Sequence, residues 1–186
     1  MEKYDLIERF VTITNESDQS IVIEEIYSGQ LHIPYENLIF RNTHGHWGAE
    51  QQMFKQNVSY GKITIENRKG VSGHNNNPYF ILDKNATETS GEVFYGALRM
   101  SGNFKGVIEQ TPYGETLVQM GINPYDFQFT LNPKESFTTP PLLCGYTDKG
   151  FEKMSHNLHN FAKENLLREG LRPVLYNSWE ATEFNV

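Results

Sequence analysis

The sequence predicts an all-β fold, a large antiparallel sandwich of two packed sheets, followed by one helix and one final strand. Three observations predict it. Short β-branched and aromatic runs recur from residue 4 to 145, with turn-forming clusters between them. No helical period interrupts those runs. The texture then changes at Thr147 to helical spacing, and changes again at Arg172 to an apolar run.

The strands follow in order. Phe10–Thr14 reads FVTIT and stops at Asn15; Ser20–Ile26 reads SIVIEEI; Gln30–Ile33 and Leu38–Phe40 come next. Lys62–Glu66 (KITIE) alternates cleanly, and Tyr79–Leu82 (YFIL) is continuous apolar. Glu92–Met100, Phe104–Glu109, Thr116–Met120, Asp126–Leu131 and Glu135–Thr138 complete a set of about eleven. NESDQ, ENRKG, SGHNNNP, NATETSG, SGN, TPYGE and LNPKE supply the turns between them. Two large sheets hold this many strands better than an immunoglobulin-sized sandwich does.

From Asp148 to Glu169 the apolar residues Phe151, Met154, Leu158, Phe161, Leu166 and Leu167 recur near helical spacing, so one face packs on a core. Asp148 is the expected cap and Gly170 the expected left-handed stop. Arg172–Trp179 reads as a buried strand opened by Pro173. The domain boundaries expected are a sandwich over 1–146, a linker helix over 147–171 and the start of a second domain over 172–186.

Composition narrows the function classes. The chain has 186 residues and a net charge of -7, with no basic stripe larger than Asn67–Lys69, so phosphate-backbone binding is not expected. No apolar run reaches membrane-spanning length. The N-terminus lacks a signal peptide's basic and apolar regions. Cys144 is the single cysteine, so no intrachain disulfide forms, and a cytoplasmic location is expected. The sequons at Asn15, Asn57 and Asn85 are then chance matches.

Motifs for chemistry are few. Asn42–Gln51 gathers His44, His46, Trp47 and Glu50, which suits either a metal or a polar loop whose Trp plugs a sheet end. A His/Glu pair there could also move protons on a sugar. His74 sits in an Asn-rich turn, where bonding to backbone is the simplest role. His156 and His159, three apart on the helix, lack a third ligand. No nucleophile elbow, phosphate loop or zinc-type cysteine spacing occurs.

The tail carries a resemblance. Arg172-Pro173, apolar Val174–Tyr176, then Asn177-Ser178-Trp179-Glu180-Ala181 resembles the start of the catalytic barrel in microbial α-galactosidases of glycoside hydrolase family 36. Upstream, Ser72–Tyr79 is similar to that family's Ser-His-x-x-Asn-Pro-aromatic turn, with Gly73 where a second Ser is usual. Residues 120–161 are similar to its segment before the barrel.

The resemblance implies a galactose-mutarotase-like β-supersandwich, a linker helix and the first strand of a (β/α)8 barrel, truncated there. It implies a retaining hydrolase of terminal α-linked galactose, acting on oligosaccharides such as melibiose and raffinose. Its catalytic carboxylates lie on later barrel strands, so no residue of this chain is expected to be catalytic. The one site residue it implies is Trp179, lining the galactose pocket. From the residues themselves, no cofactor, metal, nucleic acid or membrane partner is expected. A galactose-containing oligosaccharide is the expected ligand and a homo-oligomer the expected assembly of the full enzyme. The rival readings are a stand-alone carbohydrate-binding module and a mutarotase-like epimerase.

Overall fold

The computed structural model describes residues 1–167 and 170–185. A 3-10 turn, Glu2–Tyr4, precedes fourteen strands. They are β1 Leu6–Arg9, β2 Thr12–Thr14, β3 Ile21–Ile23, β4 Tyr27–Ile33, β5 Ile39–His46, β6 Ala49–Asn57, β7 Gly61–Glu66 and β8 Tyr79–Asp83. β9 Val93–Leu98, β10 Phe104–Gln110, β11 Thr116–Ile122, β12 Phe129–Leu131, β13 Ser136–Thr138 and β14 Leu142–Thr147 follow. Helices α1 (Gly150–Asn165) and α2 (Trp179–Thr182) complete the chain.

A six-stranded antiparallel sheet runs β1-β14-β9-β8-β5-β6. A second sheet runs β10-β11-β4, and β3/β12 and β2/β13 form two small ladders. Side-chain alternation sorts each central strand onto two faces. Phe80 and Leu82 on β8, Leu98 on β9 and Leu142 and Cys144 on β14 face inward, against Ile33, Phe104, Ile108, Val118 and Met120. The opposite set, Ile81, Val93, Tyr95 and Leu143, faces outward and is covered by Met154 and Phe161 of α1. The central strands are therefore buried on both faces, which is why YFIL lacks a polar break.

Two glycines make room for rings. A side chain at Gly96 would strike the ring of Phe80, and one at Gly145 would strike that of Tyr95. Tyr95 is buried, and its hydroxyl accepts a hydrogen bond of 3.0 Å from Nδ2 of buried Asn157 on α1. That bond satisfies two polar groups the helix packing would otherwise strand.

Several sequence expectations change. The Asn42–Gln51 segment is no loop: it is the end of β5, a turn at Trp47-Gly48 and the start of β6. β6 is an edge strand whose side chains are mostly exposed, with Phe54 alone of its large side chains packed on the core, so AEQQMFKQN shows no clean alternation. Phe10–Thr14 shortens to Thr12–Thr14, and Asp126–Leu131 shortens to Phe129–Leu131. α1 begins at Gly150 with Lys149 at its cap, not Asp148, and no side chain caps it. It ends at Asn165, so Leu166 and Leu167 are half exposed. The expected last turn, Arg168 and Glu169, lies outside the described residues.

Arg172–Trp179, expected as a buried strand, forms no strand in this chain. Val174, Leu175 and Tyr176 are 100%, 87% and 81% exposed. β-propensity specifies a strand only when a neighbour supplies ladder partners, and none does so here among the described residues. Because these side chains pack on nothing, deleting residues 172–186 should move the urea midpoint by less than about 0.5 kcal/mol of stability. A fall of several kcal/mol would place the tail in the sandwich core.

Candidate functional site

Trp179 opens α2. Its backbone amide donates to Oδ1 of Asn177 at 3.0 Å, an Asx turn that starts the short helix. Its indole meets the ring of Phe184 edge-on, with centroids 4.8 Å apart. The side chain is 48% exposed, so a large part of the indole is open to a ligand. Glu180 follows it within the first turn.

The β5–β6 tip places the other motif. Trp47 is 90% exposed and plugs no sheet end. His44 lies against Phe54, with ring centroids 5.6 Å apart. Nδ1 of His46 is 2.8 Å from the Trp47 carbonyl oxygen, and Oε1 of Glu50 accepts from the Gly48 amide at 2.9 Å. The Gly48 amide first, then Glu50's own amide, hold the Glu50 carboxyl below its usual range, with His74 and His46 adding a smaller pull. Each polar group is thus occupied in shaping the turn, and no enclosed acid–base pair results. His74 is exposed, and its ring bonds no backbone group among the described residues; His156 and His159 are exposed on α1. Among the described residues, no group of three or more His, Cys, Asp or Glu is placed to hold a metal.

The neighbouring Asn run does act as the turn chemistry anticipates. Nδ2 of Asn77 donates to the carbonyl and the hydroxyl of Thr43 (3.0 and 2.9 Å), and the Tyr79 hydroxyl joins the same Thr43 oxygen at 2.9 Å. Asn76 donates to the Glu66 carbonyl at 3.1 Å. The turn is therefore pinned to β5 and β7.

A second surface went unread in the sequence. Tyr35, Phe94 and Tyr146 form a ring chain, with centroids 5.8 and 4.9 Å apart. The hydroxyls of Tyr146 and Tyr35 both donate to Oε1 of Glu92, at 2.8 and 3.3 Å, and Nζ of Lys84 stands 3.8 Å from the Tyr35 ring centroid. Phe94 and Tyr146 also line an apolar cavity of about 290 Å³ with Leu31, Ile33, Phe80 and Cys144. Burial pushes the Cys144 thiol up to about 11, so it is inert as a nucleophile near neutrality. The partners lie more than 50 residues apart in sequence, so no local pattern announces the group.

Comparison with known proteins adds the following. Residues 1–132 match the family model described as the glycosyl hydrolase family 36 N-terminal domain, and residues 136–186 match the melibiase model. Alpha-galactosidase AgaA of Geobacillus stearothermophilus is 35% identical over 189 residues, which is 99% of this chain and 26% of that protein. Alpha-galactosidase Mel36A of Lactobacillus acidophilus is 34% identical over 97% of this chain and 25% of its own length. The crystal structure of AgaA from Geobacillus stearothermophilus superposes with a TM-score of 0.93 at 34% identity, over 98% of this chain and 26% of that one. Variants of AgaA have been solved in complex with stachyose and with raffinose. The chain thus spans about a quarter of the length of these relatives.

The Tyr146–Glu92 bond gives a pH signature. The hydrogen bond to Glu92 first, then loss of hydration, pushes the Tyr146 phenol up from 10 to about 12. Between those values the folded chain keeps a proton that the unfolded chain has lost. Its contribution to stability is therefore complete below pH 10 and fades as pH rises toward 12. In a phenolate absorbance titration of the folded chain, Tyr146→Phe should remove one late-titrating phenol. Loss of a phenol that titrates near 10 instead would mean that the Glu92 contact does not persist in solution.

Proposed function

The chain belongs to glycosyl hydrolase family 36, and from that premise we propose that it is the sandwich-and-linker part of an α-galactosidase that releases terminal α-linked galactose from raffinose-type oligosaccharides. The observation that carries the reading is continuity: the N-terminal-domain match ends at residue 132 and the melibiase match begins at 136, on one chain. Residues 1–146 are the sandwich, 147–171 the linker and 172–186 the first segment of the catalytic barrel. A cytoplasmic location and a homo-oligomeric full enzyme belong to the same reading; the buried free thiol of Cys144 suits a reducing compartment.

The chemistry divides accordingly. Retaining hydrolysis needs a nucleophile and an acid/base carboxyl about 5 Å apart. This reading assigns both to later barrel strands. The 186 residues alone are therefore expected to be inactive. Trp179 contributes binding: the face of an indole is apolar and electron-rich, and it suits the C–H face of galactose. Barrel active sites form at the C-terminal ends of the strands, and Trp179 lies just past the Val174–Tyr176 run.

A second reading, a sugar-binding module acting without hydrolysis, draws support from the Tyr35, Phe94 and Tyr146 rings beside Glu92. Rings flanked by a carboxylate are the surface chemistry a sugar's two faces call for. It predicts measurable galactoside binding by the chain itself, abolished by Tyr146→Ala.

Two outcomes test the main reading. The purified chain should release nothing from a chromogenic α-galactoside above buffer; turnover that survives repurification would place the catalytic groups within it. In an enzyme of the relatives' full length built around this sequence, Trp179→Ala should lower kcat/KM by about tenfold to a few hundredfold. The melting midpoint should stay near the parent's. A change under about twofold with a large loss of stability would make Trp179 a packing residue.

A further inference from the structure

We infer that the turn from Asp83 to Gly91 is a latch that fixes the first turn of α1, and with it the direction in which the linker leaves the sandwich. Helix starts leave backbone amides without intrahelical partners, and a side chain commonly takes them up. No side chain caps α1. Instead its first three amides, those of Gly150, Phe151 and Glu152, donate to the carbonyls of Gly91, Thr87 and Glu88, at 3.0, 3.1 and 2.9 Å. Three acceptors from the last five residues of the turn, Thr87 to Gly91, each matched to a successive amide, define position and axis together.

The fit leaves no slack. Gly150 is in the left-handed region at φ +74°, and a Cβ there would overlap the Thr87 and Glu88 carbonyl oxygens and the Ser90 amide. Glycine is therefore required twice over, by backbone angle and by contact. The turn is itself held in shape. The Thr87 hydroxyl accepts from the Ser90 amide at 3.1 Å and pairs with the Ser90 hydroxyl at 2.8 Å. Beneath it, Oδ1 of fully buried Asp83 accepts from the Ala86 amide at 3.0 Å, while the carboxylate pairs with Arg41. The Arg41 guanidinium then lies 5.0 Å from the ring centroid of Phe151, the second residue of the helix. Core ion pair, turn and helix start form one connected unit.

A latch of this kind removes a hinge. The linker cannot swivel about residue 149 without breaking three hydrogen bonds together. The consequence for a following barrel rests on the α-galactosidase reading, but the latch itself does not, and the test uses this chain alone.

Hydrogen exchange of the folded chain tests it. The amides of Gly150, Phe151 and Glu152 should be protected to the level of the following helical turn, which an uncapped helix start would not be. Thr87 is exposed, so Thr87→Ala leaves the core intact; it should speed exchange at those three amides by roughly threefold to tenfold while β10 and β11 amides keep their rates. Gly150→Ala should release all three amides and leave the amides after Met154 protected. Should Gly150→Ala unfold the chain, the Thr87→Ala result decides alone. Unprotected amides in the parent, or unchanged rates in Thr87→Ala, would overturn the latch. A rise equal at every amide would also overturn it, because it would make the turn an ordinary contributor to global stability.

Discussion

The Arg41–Asp83 ion pair is the interaction on which the arrangement of sheet, turn and helix depends. Asp83 ends β8 with no exposed surface, and Arg41 reaches it from neighbouring β5 through Nε at 2.6 Å and Nη2 at 3.2 Å. A carboxylate taken out of water at that depth loses several kcal/mol of hydration, and two aligned guanidinium bonds offset it. Removing either partner alone would leave a buried charge, a change that costs about 3–5 kcal/mol in comparable cases. The pair sits where the large sheet meets α1, so that cost is charged to the join between them. A hydrophobic pair of the same volume could hold β5 to β8. It could not also accept the Ala86 amide and lie against Phe151.

The outer face of the large sheet shows the same economy. Tyr95 fits only because Gly145 beside it lacks a side chain, and its hydroxyl is then met by Asn157 from α1. At the far end of the helix, the Tyr4 hydroxyl donates to Glu164 at 2.9 Å, and Lys3 pairs with the same carboxylate. That contact is exposed and contributes little. The helix is thus held firmly at its first turn and along its Met154–Phe161 stripe, and loosely at its end. The position of α1 is therefore decided near Gly150.

How much of this was legible in the sequence follows from burial. KITIE, YFIL and Thr116–Met120 announce themselves because one or both faces are covered, and coverage is what imposes a pattern. β6 lies at an edge with most of its side chains in solvent, only Phe54 of its large residues packs on the core, and AEQQMFKQN passes for a loop. Trp47 misleads in the opposite sense: a large apolar side chain suggests a plug, yet the turn leaves it in water. The helix is legible, but its start is not. Asp148 is a good cap by composition, while the actual caps are carbonyls about sixty residues upstream, which no local motif encodes. The Tyr35–Glu92–Tyr146 group is hidden for the same reason. Trp179 is singled out only through the motif around it, because one exposed indole carries no pattern of its own.

The tail turns that reasoning around. Val174, Leu175 and Tyr176 have a buried strand's composition and a random coil's exposure. A continuous apolar strand is stable only when covered on both faces and paired along its edges, the condition of a parallel strand inside an α/β structure. In the sandwich nothing pairs with it: among the described residues the ladders of the large sheet stop at β1 and β6, and the outer face over β8, β9 and β14 is taken by α1. The sequence of 172–179 therefore answers to a different neighbourhood from that of residues 1–165. Leu171 through Tyr176 would bury their apolar surface only by pairing with strands of a second sheet. Trp179 would then be held at the end of that strand by the Asn177 turn, which is already formed in this chain without any partner. The Asn177 turn and the edge-on contact of Trp179 with Phe184 are thus set by residues 177–184 themselves, so pairing of 172–176 with such a sheet would have only to place the turn, not to shape it.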